Sequence, residues 1–409
     1  MEACVQDRTS GTGETLAEAR ASAWQILSFV SFTFVGYLSV GLPLAVLPPY
    51  VHLRLGMSAA VAGLVIGLQS LATLASRPMA GWICDRFGAK VSVMWGMASC
   101  TASGVAMLGA GGLHHHEWLS FGLLLLSRIP LGVAISLGST GSILWAVRSQ
   151  GQEHTAKVIA YNGIATYGGV GLGAPLGVAL AAQWSLAGIG VFTAVIGAAS
   201  LVAASRRVPV PAVHGEPERF HRVLGRVAPH GTAVALSSVA YGVLTTFIAL
   251  YFASRHWSGA ALCLTAFGGT FVLMRAICPQ AIQRWGGFAV AIPSLAVTAI
   301  SMFLLWRAGS PWTACAAAAL TGIGFSLVYP ALGVEAILRI PEQNRGAGLA
   351  GYTVFFDVAL FLTGPVAGFV IGWFGYGSVF LFGLVCELAS LVIVVALMRR
   401  VLREPDYSI

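Results

Sequence analysis

Charge is what this sequence has least of. Asp, Glu, Lys and Arg together make up 9% of its 409 residues, where a soluble domain carries roughly a quarter. Cysteines form no framework: Cys4, Cys84, Cys100, Cys263, Cys278, Cys315 and Cys386 are scattered and mostly lie inside apolar runs, which suits buried thiols rather than disulfides or a metal centre. No Gly-x-x-x-x-Gly-Lys-Ser/Thr run occurs, so no nucleotide cradle is present and no cofactor is implied. A nucleophile, a base and an orienting acid do not converge on one membrane face, which argues against an enzyme. The first 20 residues include Glu2, Asp7, Glu14 and Glu18 and lack the basic and small-residue regions of a secretory signal, so residues 1–21 are expected to be a short cytoplasmic tail.

What fills the chain instead is apolar. Hydrophobic side chains make up 57%, and the mean hydropathy is +0.82. At about 34 residues for a span and its connection, this length holds about twelve transmembrane helices and excludes a large soluble catalytic domain. The same composition excludes a nucleic-acid binder, and membrane lipid becomes the surrounding medium.

Charge-free runs locate the spans at 22–48, 58–78, 91–112, 119–146, 157–182 and 187–205, then at 230–253, 260–278, 288–307, 311–337, 347–371 and 377–398. The run from Val158 to Ser205 is long enough for two, with its turn at Gln183 to Ser185. The expected organisation is therefore a tail (1–21), a six-helix bundle (22–205), a polar cytoplasmic linker (206–229), a second six-helix bundle (230–399) and a tail (400–409). With the N-terminus inside, nineteen of the 23 basic residues fall on cytoplasmic segments and only Arg54, Arg255 and Arg307 on the outside, with Arg128 within a span. That asymmetry predicts both termini in the cytoplasm and explains the net charge of +8 without a polyanionic partner.

The two halves echo each other. Arg77, Arg86 and Gly88 recur as Arg275, Arg284 and Gly286 at an offset of 198 residues, and Ala174-Pro175 recurs as Gly364-Pro365 at an offset of 190. Such a repeat predicts a cavity between the halves at mid-membrane.

On these residues the sequence resembles the major facilitator superfamily over nearly its whole length. Gly81-x-x-x-Asp85-Arg86-x-Gly88-x-Lys90 matches the superfamily's loop between the second and third helices. The run Gly41-Leu-Pro-Leu-Ala-Val-Leu-Pro48, the stretch Tyr329-Pro-Ala-Leu-Gly-Val-Glu335 and Asp357-Val-Ala-Leu look like bacterial permeases of arabinose-efflux or drug-efflux type. Two motifs depart from the pattern. Leu131 stands where the fourth-helix motif has Gln after Arg128, and the antiporter-type glycine-proline motif is matched only approximately by Gly169 to Gly177. The resemblance implies an all-α fold of twelve transmembrane helices in two six-helix halves, sited in the bacterial inner membrane.

Ionisable groups inside spans are costly and therefore functional candidates. Asp357, about ten residues into the eleventh span, is the expected proton carrier. Arg128, near the midplane of the fourth, is expected to bind an anionic substrate group or to approach a carboxylate. Glu387, in the twelfth, is expected at the bundle periphery in a structural or lipid-edge role. Tyr37, Gln69, Asn162, Tyr241, Thr245, Tyr329 and Phe356 lie on helices that line the superfamily's cavity and are candidate substrate contacts. Arg77, Gly81, Asp85, Arg86, Gly88, Lys90, Arg284 and Arg345 are candidate gating residues, with Asp85 expected to meet the inner end of the eleventh span near Arg345. Glu335 is a further gating candidate, expected to pair with Arg339 at the interface and help close the cytoplasmic side. His114 to His116 in an outer loop read as a solvated turn rather than a metal site.

The function expected from all this is secondary active transport by alternating access, with protons driving efflux of a small organic compound. Import of a sugar or organic anion by symport, or a non-transporting receptor, are the alternatives. Nothing in the sequence demands more than a monomer.

Overall fold

In hydrocarbon every backbone amide needs an internal partner, so long apolar runs without charge can only be helical. The computed structural model describes residues 3–113, 115–151, 154–210, 220–338, 340 and 345–403, without the side chains of 3–22, 156, 220–224, 345–347 and 350. The first half consists of α1 (Ala3–Leu44), the short α2 (Leu47–Pro49) leading into a π-turn (Tyr50–Arg54), α3 (Ala59–Arg86), α4 (Ala89–Gly112), α5 (Glu117–Gln150) and α6 (Thr155–Ser205). The second consists of α7 (Phe220–Ser254), α8 (Ala260–Ile277), the short α9 (Ala281–Trp285), α10 (Gly287–Trp306), α11 (Pro311–Leu338), α12 (Arg345–Phe374) and α13 (Ser378–Arg403).

Among the described residues eleven helices are long and apolar enough to cross a membrane, one of them the 49-residue stretch Lys157–Ser205. That stretch is two spans. Trp184 and Ser185 leave helical geometry, Ser185 with φ +56°, at the turn expected from the sequence. The structure therefore has twelve crossings. Helices extend beyond the expected spans into the expected tails and linker: α1 begins at Ala3, α7 at Phe220, and α13 runs to Arg403. Hydropathy marks only the part of a helix inside hydrocarbon, whereas helical hydrogen bonding continues into the polar interface.

The repeat is visible in the backbone. Gly88 and Gly286, 198 residues apart, both take positive φ (92° and 84°) and open α4 and α10 respectively. Only glycine adopts such a turn without strain. Pro175 in α6 and Pro365 in α12 are likewise equivalent. The halves meet along two related seams, α3 against α12 and α6 against α8. Both seams are built on glycine. A Cβ on Gly63 would run into the Gly364 backbone, one on Gly67 into the Phe361 carbonyl, and one on Gly171 would lie 3.0 Å from Gly268 Cα. Removing side chains lets the helix backbones touch, the usual means of packing helices where no hydrophobic drive exists.

Candidate functional site

Where α1, α3, α5 and α6 face α7 and α12, a cavity of about 70 Å³ remains at the centre of the bundle, room for two or so water molecules. Its polar lining comes from Gln69, Ser70 and Thr73 on α3, Thr166 on α6, and Thr245 and Thr246 on α7, with Asp357 on α12. Tyr37, Tyr167, Tyr241 and Phe356 supply aromatic faces. The Tyr167 ring lies 3.8 Å from Phe271 and 5.5 Å from Tyr241, and Tyr241 stacks on Phe325 at 5.3 Å. Of the residues expected from the sequence, Tyr37, Gln69, Tyr241, Thr245, Phe356 and Asp357 thus converge on one cavity.

Asp357 is buried, 4% exposed, and its carboxylate accepts two hydrogen bonds from Arg77. Arg77 Nε donates to Oδ2, and Nη2 donates to Oδ1 at 3.1 Å. This bidentate geometry is the strong form of an arginine–carboxylate contact, and it spans the α3–α12 seam.

The expectation that Arg128 approaches the carboxylate is therefore corrected. Arg128 is buried inside the first half, with Nε on Ser127 Oγ at 3.3 Å and Nη2 against Met107 Sδ at 3.9 Å, and it does not line the cavity. Its helix face turns toward α4, while Gly132 one turn on accepts a hydrogen bond from Thr73 Oγ1 at 3.1 Å. Asn162 and Tyr329 also stand off the cavity. Tyr329 bonds Thr353 Oγ1 at 2.9 Å and packs edge-on against Phe356 at 5.5 Å, one layer below it.

The loop between α3 and α4 lies at the end of the bundle that carries most of the basic residues, here termed the basic end. Asp85, with its side chain 58% exposed, lies 3.7 Å from Arg148 at the end of α5 rather than on α12, so in this structure its partner belongs to its own half. The Arg345 side chain and Arg339 lie outside the described residues, as does His114. Arg86 covers Trp82 and Phe87 at 5.5 and 5.8 Å. Lys90 Nζ donates to the carbonyls of Ser205 and Arg207, both at 2.7 Å, fastening α4 to the end of α6. Gly81 has open space where a Cβ would sit, and Arg284 lies in the last turn of the short α9. Glu335 accepts from the Phe288 amide at 3.3 Å, capping α10. Glu387 is not at the lipid edge. It is fully buried against α7 and accepts from Ser237 Oγ at 3.1 Å, because α13 turns its small and polar face, Glu387 and Ser390, toward α7.

Two features escaped sequence reasoning. Tyr167 lines the cavity, at a position that the 190-residue repeat makes equivalent to Asp357. At the end opposite the basic one, His52 Nδ1 meets Met57 O at 2.6 Å and Nε2 meets Tyr376 Oη at 2.7 Å, joining the two halves.

A sequence model described as "Major Facilitator Superfamily" matches residues 29–306 and 231–408. An MFS-type transporter of Pseudomonas aeruginosa (strain LESB58) is 50% identical over 376 residues, covering 92% of this chain and 94% of the relative. One from Burkholderia mallei (strain SAVP1) is 47% identical over 382 residues, covering 93% and 94%. Among solved structures, the human organic anion transporter MFSD10 (TETRAN) superposes with a TM-score of 0.70 at 15% identity, over 91% of this chain and 99% of that one. A D-xylose-proton symporter superposes with a TM-score of 0.72 at 16% identity, over 91% and 96%. At such identities the structural likeness speaks for the fold, and the family model together with the bacterial relatives speaks for the family: this chain is a multi-pass membrane transporter belonging to the Major Facilitator Superfamily.

Proposed function

We propose that the chain is a proton-coupled exporter of a small organic compound, working by alternating access with Asp357 as the proton carrier. The observation that carries this reading is the bidentate Arg77–Asp357 pair, set in the wall of a central cavity and across the seam between the halves. A proton and the Arg77 guanidinium compete for one carboxylate. Loading Asp357 removes the charge that ties α3 to α12, and unloading restores it, so proton traffic and the relative position of the halves are linked through a single group.

The size of the cavity supports alternation as well. At about 70 Å³ it is far below the several hundred Å³ of a typical organic-ligand pocket, so a substrate is admitted only when the halves part. Its tyrosine and threonine lining suits a small, partly aromatic compound with hydrogen-bonding groups.

The positive-inside asymmetry supports a cytoplasmic basic end, with both termini inside; the inner membrane is the site that the resemblance implies. Export as the direction rests on the efflux-type resemblance and on the glycine-rich Gly169 to Gly177 segment of α6.

The test is reconstitution into vesicles holding a pH-sensitive dye, with drugs, sugars, organic anions and chelators added in turn and Asp357→Asn run in parallel. Substrate-evoked proton movement that vanishes in the variant is the expected outcome. Flux with no proton movement, or a proton signal that persists in Asp357→Asn, sinks the coupling assignment.

A further inference from the structure

The two seams between the halves are related by the repeat, yet they are not equally satisfied. Arg77 precedes Arg86 by nine residues, as Arg275 precedes Arg284; Asp357 precedes Pro365 by eight, as Tyr167 precedes Pro175. At the first seam α3 offers Arg77 and α12 answers with a carboxylate. At the second, α8 offers Arg275 to α6, and the equivalent position holds Tyr167, which has no negative charge to give.

The Arg275 guanidinium does cross that seam. Its Cζ lies 3.6 Å from where a Cβ on Gly163 would be, so the absent side chain makes its room. Its Cζ also stands 5.5 Å from the centre of the Phe271 ring. Among the described residues its buried Nε, a donor, has no hydrogen-bond partner. Leaving a buried donor of a charged group unpaired is costly, so the site calls for an acceptor. Phe271 in turn touches Tyr167, whose ring forms part of the cavity wall.

We propose that Arg275 forms an anion subsite, in which the carboxylate of a small aromatic acid takes the part that Asp357 plays at the related seam. Resting on the transport reading above, this names the substrate class: an aromatic carboxylate with its ring among Tyr167 and Phe271 and its charge on Arg275. The anion would stand across the α6–α8 seam, as Asp357 stands across α3–α12, so binding and release are tied to the movement of the halves.

Binding is measured directly, in nanodiscs and without any gradient, so the result does not depend on transport. The probes are benzoate, 3-phenylpropionate and 4-phenylbutyrate, each beside its neutral amide, titrated by calorimetry and thermal shift. Wild type should bind at least one carboxylate about tenfold or more tighter than its amide. Arg275→Gln should erase that preference and Arg275→Lys should keep part of it. Should Arg275→Gln fail to fold, Gly163→Leu, which crowds the guanidinium, is expected to weaken carboxylate binding alone. No binding by any of the acids, equal binding of acid and amide, or a preference that survives in Arg275→Gln (or in Gly163→Leu, where that variant replaces it) overturns the subsite. Loss of proton coupling in Asp357→Asn bears on the transport reading separately.

Discussion

Arg77 and Asp357, 280 residues apart in the chain, share two hydrogen bonds across the contact between α3 and α12. The pair sits between the central cavity and the basic end, while the glycine contacts Gly67 to Phe361 and Gly63 to Gly364 continue the same seam toward the opposite end. One seam therefore carries both the titratable group and the close backbone packing that must open and shut.

Asp357→Asn keeps the shape of the side chain and removes its charge. Proton-coupled flux should fall to background, while substrate binding persists. The Arg77 side chain retains 29% exposure, so stranding it costs about 1 kcal/mol rather than the several expected of a fully buried charge. A dye-based flux assay and a melting curve on the same preparation test both halves of this expectation.

Gly63→Val places a branched side chain against the Gly364 backbone. Because the obstacle is main chain, the seam cannot yield by a rotamer change, and overpacking of this kind costs about 1–3 kcal/mol. The variant should favour states parted at the end opposite the basic one. Cysteines placed along that end of α12 should then react faster with a membrane-impermeant maleimide; unchanged rates would mean that the seam is not what shuts that end.

His52→Ala deletes the 2.7 Å contact with Tyr376 that joins the halves outside the cavity. A hydrogen bond of this type contributes about 1 kcal/mol net, equivalent to roughly a fivefold shift in a two-state population. Spin labels on the exposed positions Leu53 and Trp373 should report a larger share of long distances, and Tyr376→Phe should reproduce the effect.

Glu387→Gln should leave coupled transport intact and the melting temperature equal or higher. Ser237 Oγ donates to Oε1, a bond that the amide oxygen of Gln also accepts, and the substitution removes the cost of holding a carboxyl group in a fully buried site. Loss of coupling in this variant would assign the second buried acid a share in proton transfer.

Asp85→Asn removes a 3.7 Å contact made by a side chain 58% exposed. Stability should change by no more than about 0.5 kcal/mol, so any altered balance between the two open states, read by cysteine accessibility at the basic end, reports gating rather than folding.

Much of the fold could be read from local sequence because a span is a local property: roughly twenty apolar residues decide it without reference to anything distant. The break at Trp184 and Ser185, the equivalence of Gly88 with Gly286 and the two-bundle plan all follow from composition and offsets along the chain. Six of the expected site residues reached the cavity because hydrogen-bonding or ionisable side chains in hydrocarbon need a protein-facing place, and a repeat sets that place at its axis. What tertiary structure alone decided is which residue each one meets. The meeting of Asp357 with Arg77 rather than Arg128, the turn of Glu387 inward and the Arg275 guanidinium beside Gly163 all depend on how each helix is rotated about its own axis. In helices apolar on every side that rotation leaves little trace in the sequence, since hydrophobicity no longer separates the buried face from the face turned to lipid.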